Sequence, residues 1–487
     1  LMDVKLIAPY FHRGEHFAYL ANTGHWIDIG GRNPGGYVID ATEYYQEGIR
    51  IPPVRLFGEG KLDRSLFDLI MSNLRLPGEV YGDMMAQVNA LHVGRERLDE
   101  VLDKYGAEVV EECITALREY SERLMRDHIR AIPDGDYSCV DYMDSDGIEH
   151  EPLKMALRVK VEGDELLFDF SGTSPACRGP LNIAAGCTKT ACYVAIKHLF
   201  PEVPINSGCF APIRFHLPEG CFLNAKPPSP CCGFVETTHR VNDLIFGALS
   251  AAIPERVFAA AFSTSNNLTV SGVDRQEGRW VIYTFLGGGY GGGRAHDGLT
   301  HGSTLSSVAK TLPIEVIEHR FPLLFRRYAL RENSAGPGWR RGGFGAIYEV
   351  EVLRGEAEVT VMGDRGRFAP FGILGGREAK KNRVTFLKKS GPLVPPHLTK
   401  ASGIRLEAGE AVLLESPGGG GYGDPLQREP SRVLEDVRKE YISIEDAERD
   451  YGVVIRTDPL AVDEKETVER RKALAAARKS SQRQERG

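Results

Sequence analysis

The segment Gly24-His25-Trp26-Ile27-Asp28-Ile29-Gly30-Gly31, read together with Asp3, holds the side chains best suited to chemistry. Asp3 to Ala8 alternates apolar with other residues, His12 to His16 forms a polar tip around Gly14, and Phe17 to Leu20 resumes an apolar run. That pattern predicts a hairpin. With the turn centred on Gly14, Phe11 faces Phe17 and Asp3 faces His25. Cross-strand partners have Cβ atoms roughly 5 Å apart, so a carboxylate and an imidazole there can share one metal ion. Asp28 leaves the strand into a glycine turn and can fold back as a further oxygen ligand. One imidazole nitrogen and two carboxylate oxygens suit Zn, Mn or Fe(II). The same spacing is equally that of a plain hydrogen-bonded Asp and His. Asp3, His25 and Asp28 are thus the candidate metal ligands, with His25 and Asp28 also candidate catalytic groups.

Two glycine clusters, Gly287 to Gly293 and Gly418 to Gly423, could gather backbone amides around an anion or make tight turns. Gly288 and Gly289 of the first are candidates for holding developing negative charge. Neither cluster is a Walker loop, and Gly186-Cys187-Thr188-Lys189-Thr190 lacks the spacing of one, so this chain shows no P-loop for ATP. Glu236-Thr237-Thr238-His239-Arg240 opens an expected helix with Thr237 or Thr238 as N-cap. His296, Asp297 and His301 follow the first glycine cluster and could add ligands. No Gly-x-Ser-x-Gly elbow or His-Glu-x-x-His helix occurs, which argues against a serine hydrolase or a standard zincin. The nine cysteines form no Cys-x-x-Cys pair and read as reduced, mostly buried thiols, with Cys187 and Cys231 as minor candidates for a nucleophile.

A chain of 487 residues has room for more than one core. Its 42% apolar and 26% charged residues, with 54 glycines, describe a turn-rich globular protein. A net charge of −7 gives no electrostatic pull towards nucleic acid or anionic lipid. No stretch approaches the length of a membrane span and no signal peptide opens the chain, so a cytoplasmic protein is expected. Apolar spacing predicts a helix over Leu62 to Leu74 capped by Asp63, then two long helices from Asp83 to about Ile129 broken near Tyr105-Gly106. Period-two strands follow over Tyr137 to Asp169, with turns at Asp146-Gly147 and Gly163-Asp164. Helices are expected over Thr188 to Phe200 and Thr238 to Ala252, strands over Val257 to Phe285 and Ile347 to Val361, two short helices over Ser431 to Tyr451, and a frayed or disordered charged tail from Asp463. The predicted class is α+β, multi-lobed, with mixed or antiparallel sheets and long helices after the N-terminal hairpin. The expected divisions are 1–60 (hairpin and loop), 61–135 (helical), 136–430 (β-rich core) and 431–487 (short helices and tail).

The chain resembles the hydantoinase B/oxoprolinase family. The matching segments are Leu1-Met2-Asp3, His25 to Gly31, Gly82-Asp83 with Gln87, Asp169 to Pro175, Pro204 to Cys209, Asn266 to Thr269, Pro313 to Glu318 and Pro417 to Pro425. The resemblance implies that Asp3, His25 and Asp28 ligate a divalent metal. It also implies a preceding segment of about a hundred residues, beginning the metal site with a histidine just before Leu1, that is absent from this sequence. A hydantoinase A-like ATPase partner in a hetero-oligomer would use ATP to activate a small-molecule substrate. This chain would then open a cyclic amide of the hydantoin or 5-oxoproline type; the alternatives are a subunit of an acetone- or acetophenone-type carboxylase, or an inactive scaffold. No nucleic acid or membrane partner is implied. Thr284 stands where many relatives have glutamate, Ser306 to Leu312 replaces an Asn-Thr-rich segment, and Trp26 replaces a second histidine, either shifting metal preference or filling space.

Overall fold

The computed structural model describes residues 2–274, 278–306 and 309–484; Leu1 and the Ser307-Val308 part of the divergent segment lie outside it. Strands β1 (Asp3–His12) and β2 (Glu15–His25) form the expected hairpin, with Asp3 opposite His25 and Ala8 opposite Leu20. Phe11, however, faces His16 and not Phe17. Arg13 and Gly14, with φ of 50° and 87°, make a two-residue turn of the kind that needs positive φ at both positions. That turn sets the pairing one residue short, and a bulge at Phe17 restores it.

After the short strands β3 (Phe57–Gly58) and β4 (Lys61–Leu62) comes α1 (Arg64–Met71), whose first turn is capped by Asp63 accepting from Leu66 N at 2.9 Å. Helices α2 (Pro77–Tyr105) and α3 (Ala107–Arg130) break at Gly106, where φ is 81°. Proline in the first turn lets α2 begin earlier than the apolar spacing suggests. Strands β5 (Gly135–Met143), β6 (Leu153–Glu162), β7 (Glu165–Asp169) and β8 (Ile213–His216) form one sheet in that order, antiparallel except for the β7–β8 pair. Helices α4 (Ala185–Leu199) and α5 (Phe234–Leu249) share a core with it that includes Met155, Phe168, Ile196, Leu244 and Phe246.

The next unit is a sandwich. Strands β9 (Asn267–Asp274), β10 (Gly278–Phe285), β11 (Leu323–Leu330), β12 (Ala346–Val352), β13 (Glu356–Met362), β14 (Arg383–Lys388), β15 (Gly391–Leu393), β16 (Lys400–Glu407) and β17 (Ala411–Glu415) sort into two antiparallel sheets, β10-β9-β13-β16 and β11-β12-β17-β14-β15. Alternate residues of both, among them Val270, Ile282, Val350, Val359, Phe386 and Leu414, close on a common core. Helix α6 (Ile314–Arg320) leads into the second sheet, and α7 (Pro430–Arg438), α8 (Ile444–Tyr451), β18 (Ile455–Thr457), β19 (Leu460–Val462) and α9 (Glu464–Gln484) complete the described chain. The charged tail thus forms a helix as far as Gln484. The whole is α+β with several sheets, as expected, and no described helix is long and apolar enough to cross a membrane.

Helix α5 is the element that composition describes worst. Glu236, His239, Arg240, Asn242 and Asp243 are as buried as Val241, Leu244 and Phe246. The apolar side chains join the α4 and β5–β8 core, while the polar ones meet residues that enter and leave the sandwich.

Candidate active site

The hairpin delivers its pair as the spacing predicts. Asp3 Oδ1 lies 3.0 Å from His25 Nδ1. Burial would raise the Asp3 pKa, but the hydrogen bond and charge of His25 outweigh it and hold the carboxyl below its usual value. Two ligands about 2.1 Å from one ion, at right angles, are also about 3 Å apart, so the pair fits two positions on a divalent ion as well as it fits a direct hydrogen bond.

Asp28 does not join them. Its fully buried carboxylate accepts from Gly30 N and Arg75 N at 3.0 and 2.9 Å through Oδ2, and from Gly35 N and Arg75 Nη1 at 3.2 and 3.0 Å through Oδ1. The glycine turn does fold Asp28 back, but onto backbone amides and an arginine. It is the anchor of the loop, and this corrects its assignment as ligand and catalytic group. Among the described residues no group of three His, Cys, Asp or Glu could by itself hold a metal. A carboxylate without an assigned role, Asp83 on α2, lies close enough to sense the His25 charge, which counters the burial that raises its pKa. Its place in the α2 apolar pattern gave no sign of this.

The base of the hairpin is fixed from α2. Gln87 accepts from Trp26 Nε1 at 2.9 Å and donates to Val4 O at 2.9 Å and Asn22 Oδ1 at 3.2 Å. Trp26 therefore fills space beside the pair, with its only polar atom satisfied. On the other side the Tyr283 ring lies 5.5 Å from the His25 ring and is stacked on Tyr37 at 5.7 Å. Tyr283 Oη donates to Asn267 Oδ1 at 2.6 Å, and Asn267 Nδ2 donates to Glu236 Oε1 at 3.1 Å. Burial raises the Glu236 pKa to about 8, with the Thr264 hydroxyl and Ser265 amide lowering it only in part. Burial also drives His239 down to about 3, leaving a neutral ring whose Nε2 lies 3.2 Å from Ser265 Oγ. Deeper still, Lys400 Nζ binds Asp364 Oδ2 at 2.8 Å, and Arg365 pairs with Asp141 and Asp243. The only hint of this polar interior in the sequence was the run of polar residues opening α5.

The remaining candidates do not converge on the pair. Gly288 exchanges backbone hydrogen bonds with Gly302, and Gly289 N donates to Pro417 O at 3.2 Å. A Cβ at Gly289 would collide with the Gly343 backbone, and one at Gly419 with Tyr290 O. The two glycine clusters are thus backbone packed on backbone, and the anion-holding role expected of Gly288 and Gly289 is corrected to close packing. Thr237 and Thr238 sit inside α5, donating to Leu181 O and Val235 O, because the helix starts at Phe234. Asp297 is held by Arg428, and His301 bonds Tyr328. Burial raises the thiol pKa values of both Cys187 and Cys231, Cys231 to about 12, which opposes thiolate chemistry.

The family pattern described as Hydantoinase B/oxoprolinase matches residues 1–425. The chain belongs to the hydantoinase B/oxoprolinase family. Within it, the caprolactamase subunit beta of Pseudomonas jessenii is 32% identical over 471 residues, covering 93% of this chain and 80% of that protein. The crystal structure of ATP-dependent caprolactamase from the same organism superposes with a TM-score of 0.89, covering 97% of this chain and 83% of that one. The 5-oxoprolinase of Dictyostelium discoideum is 28% identical over 432 residues, which cover 87% of this chain but 33% of that protein. A nucleotide-free structure of acetone carboxylase shares the fold, with a TM-score of 0.89 at 21% identity over 98% of this chain and 70% of that one.

Proposed function

We propose that this chain is the substrate-processing subunit of an ATP-dependent amidohydrolase that opens cyclic amides, acting with a hydantoinase A-like ATPase subunit in a hetero-oligomer. The observation that carries the proposal is the pairing of Asp3 with His25 at the open end of the hairpin, in a family whose relatives include a caprolactamase and a 5-oxoprolinase. Asp3 and His25 would hold a divalent ion, Zn, Mn or Fe. When bound, that ion supplies Lewis acidity towards the amide carbonyl and makes water more acidic.

The residues of the chain do the rest. Asp3, kept ionised by His25, holds the imidazole in place through Nδ1 until the ion takes the place of that hydrogen bond. Tyr283, backed by the buried Tyr37, sets an aromatic face beside that ring, which suits the apolar methylenes of a lactam. Gln87 and Trp26 hold both strands in place, so the pair is preorganised before substrate arrives. ATP is assigned to the partner, since this chain has no P-loop.

The experiment is ring opening of caprolactam, hydantoin and 5-oxoproline by the full-length protein co-purified with its ATPase partner. ATP-dependent release of the open-chain acid supports the proposal; ring opening at the same rate without ATP refutes it. A second reading, carboxylation of a ketone, is favoured by the fold shared with acetone carboxylase. Bicarbonate-dependent consumption of ketone would select it.

A further inference from the structure

The wall beside His25 is tied to the interior by a directed chain. Asn267 donates through Nδ2 to Glu236 Oε1 at 3.1 Å, and the same Glu236 oxygen accepts from Ser265 N at 2.9 Å. A carboxamide that donates on one side presents its carbonyl on the other. Here that carbonyl, Asn267 Oδ1, takes the Tyr283 hydroxyl proton at 2.6 Å. The proton is thereby drawn inward, and the Tyr283 oxygen can serve other groups only as an acceptor. The inner links are enclosed, Glu236 being 0% exposed and Asn267 2%, so no water competes for the bonds between them, while Tyr283 at the outer end is half-buried.

Glu236 is out of reach of His25 itself, since two side chains stand between them. It is also not spent on an ion pair. Its second oxygen, Oε2, makes no hydrogen bond among the described residues, and Lys400 and Arg240 are turned towards Asp364. Glu236 Oε1 receives both donors, and burial favours the neutral carboxyl.

We propose that Glu236 is a positioning residue for the hairpin site: through Asn267 it fixes the direction of the hydrogen bond that ends at Tyr283, beside His25. Its functional consequence rests on the ring-opening reading above. With Glu236 in place, the Tyr283 hydroxyl proton is committed to Asn267 and its oxygen is left as an acceptor, on a ring whose centroid lies 5.5 Å from that of the imidazole, the polarity that receives the N–H of a cyclic amide. With the acceptor removed, the Asn267 amide can reverse and the Tyr283 proton turns outwards against that N–H.

The test is a double-mutant cycle in the co-purified complex, with E236A, Y283F and the pair, read in kcat and KM for ring opening. E236Q is run beside them, because glutamine reproduces the carbonyl and the donor of the neutral carboxyl. The expected result is a 10-fold or larger loss of kcat/KM in E236A, recovery to within about threefold in E236Q, and no further loss when Y283F is added to E236A. Independent, multiplicative losses, or an E236Q protein as impaired as E236A, overturn the positioning role. The same cycle read in unfolding separates the two layers. Coupled stability losses in a complex that opens no cyclic amide uphold the chain of bonds and refute the ring-opening reading; additive stability losses refute the chain itself.

Discussion

Substituting Asp28 by asparagine separates a loop anchor from a metal ligand. The carboxylate receives four N–H donors, two on each oxygen, at 2.9 to 3.2 Å, and it is fully buried. Asparagine keeps the shape but turns one acceptor oxygen into a donor, which must then face two N–H groups. The less costly orientation places the new NH2 against Gly35 N and Arg75 Nη1. The Arg75 side chain is 22% exposed and keeps its bond to Gly31 O at 2.6 Å, so its charge can be partly resolvated. A hydrogen bond to a charged group contributes about 1.5 to 3 kcal/mol, and an unpaired buried N–H costs about 1 to 3 kcal/mol. Losing two such bonds, with partial recovery at Arg75, puts D28N at roughly 3 to 5 kcal/mol less stable. Urea unfolding of the metal-free protein, followed by circular dichroism, measures the loss. A ligand role makes the opposite prediction: stability within about 1 kcal/mol of wild type in the metal-free protein, with metal binding lost. That result would refute the anchor assignment.

The interior acids and bases set the pH dependence. Glu236, at about 8 in the fold against an ordinary 4.5, binds its proton more tightly when folded. Its contribution to stability is therefore complete below pH 4.5 and is lost as pH rises to about 8, at roughly 1.4 kcal/mol per pH unit. E236Q should gain on wild type across that range and run parallel above it, as measured by urea midpoints at stepped pH; a constant offset at all pH values would contradict the assignment. His239, held near 3 from an ordinary 6.5, acts in the opposite sense: its contribution is present above pH 6.5 and falls away towards pH 3. H239Q should flatten the acid limb of the stability profile, and an unchanged limb would show that other groups set it. At Gly419 a methyl group would collide with the Tyr290 backbone, which cannot swing aside as a side chain would. G419A should cost about 3 kcal/mol or more in unfolding free energy, and a loss under about 1 kcal/mol would show that the glycine strands have slack.

The hairpin register was legible because one alternating pattern and one turn residue fix it together, placing Asp3 opposite His25 across a strand pair that closes far from both. The bulge at Phe17 was not, since a centre at Gly14 and a two-residue turn at Arg13-Gly14 differ by one position and leave the apolar pattern nearly unchanged. The α1 cap and the α2–α3 break were legible from Asp63 and Gly106, single residues with strong local preferences. Helix α5 was hard to read. Its polar residues point into a second layer instead of solvent, so an amphipathic pattern that ordinarily means surface here means an interface between two cores. Asp28 and the glycine clusters failed for a shared reason. Short polar and glycine-rich motifs state that backbone amides will be crowded, but only tertiary contacts decide whether an anion, a carboxylate from the same loop, or another stretch of backbone fills the crowd.

Whether the hairpin pair holds the working ion is read from the metal content per chain of the full-length protein purified with its partner, measured by mass spectrometry for wild type, H25A and D28N. A stoichiometric divalent ion is expected in wild type, lost in H25A and retained in the folded fraction of D28N. Equal metal content in wild type and H25A would contradict it.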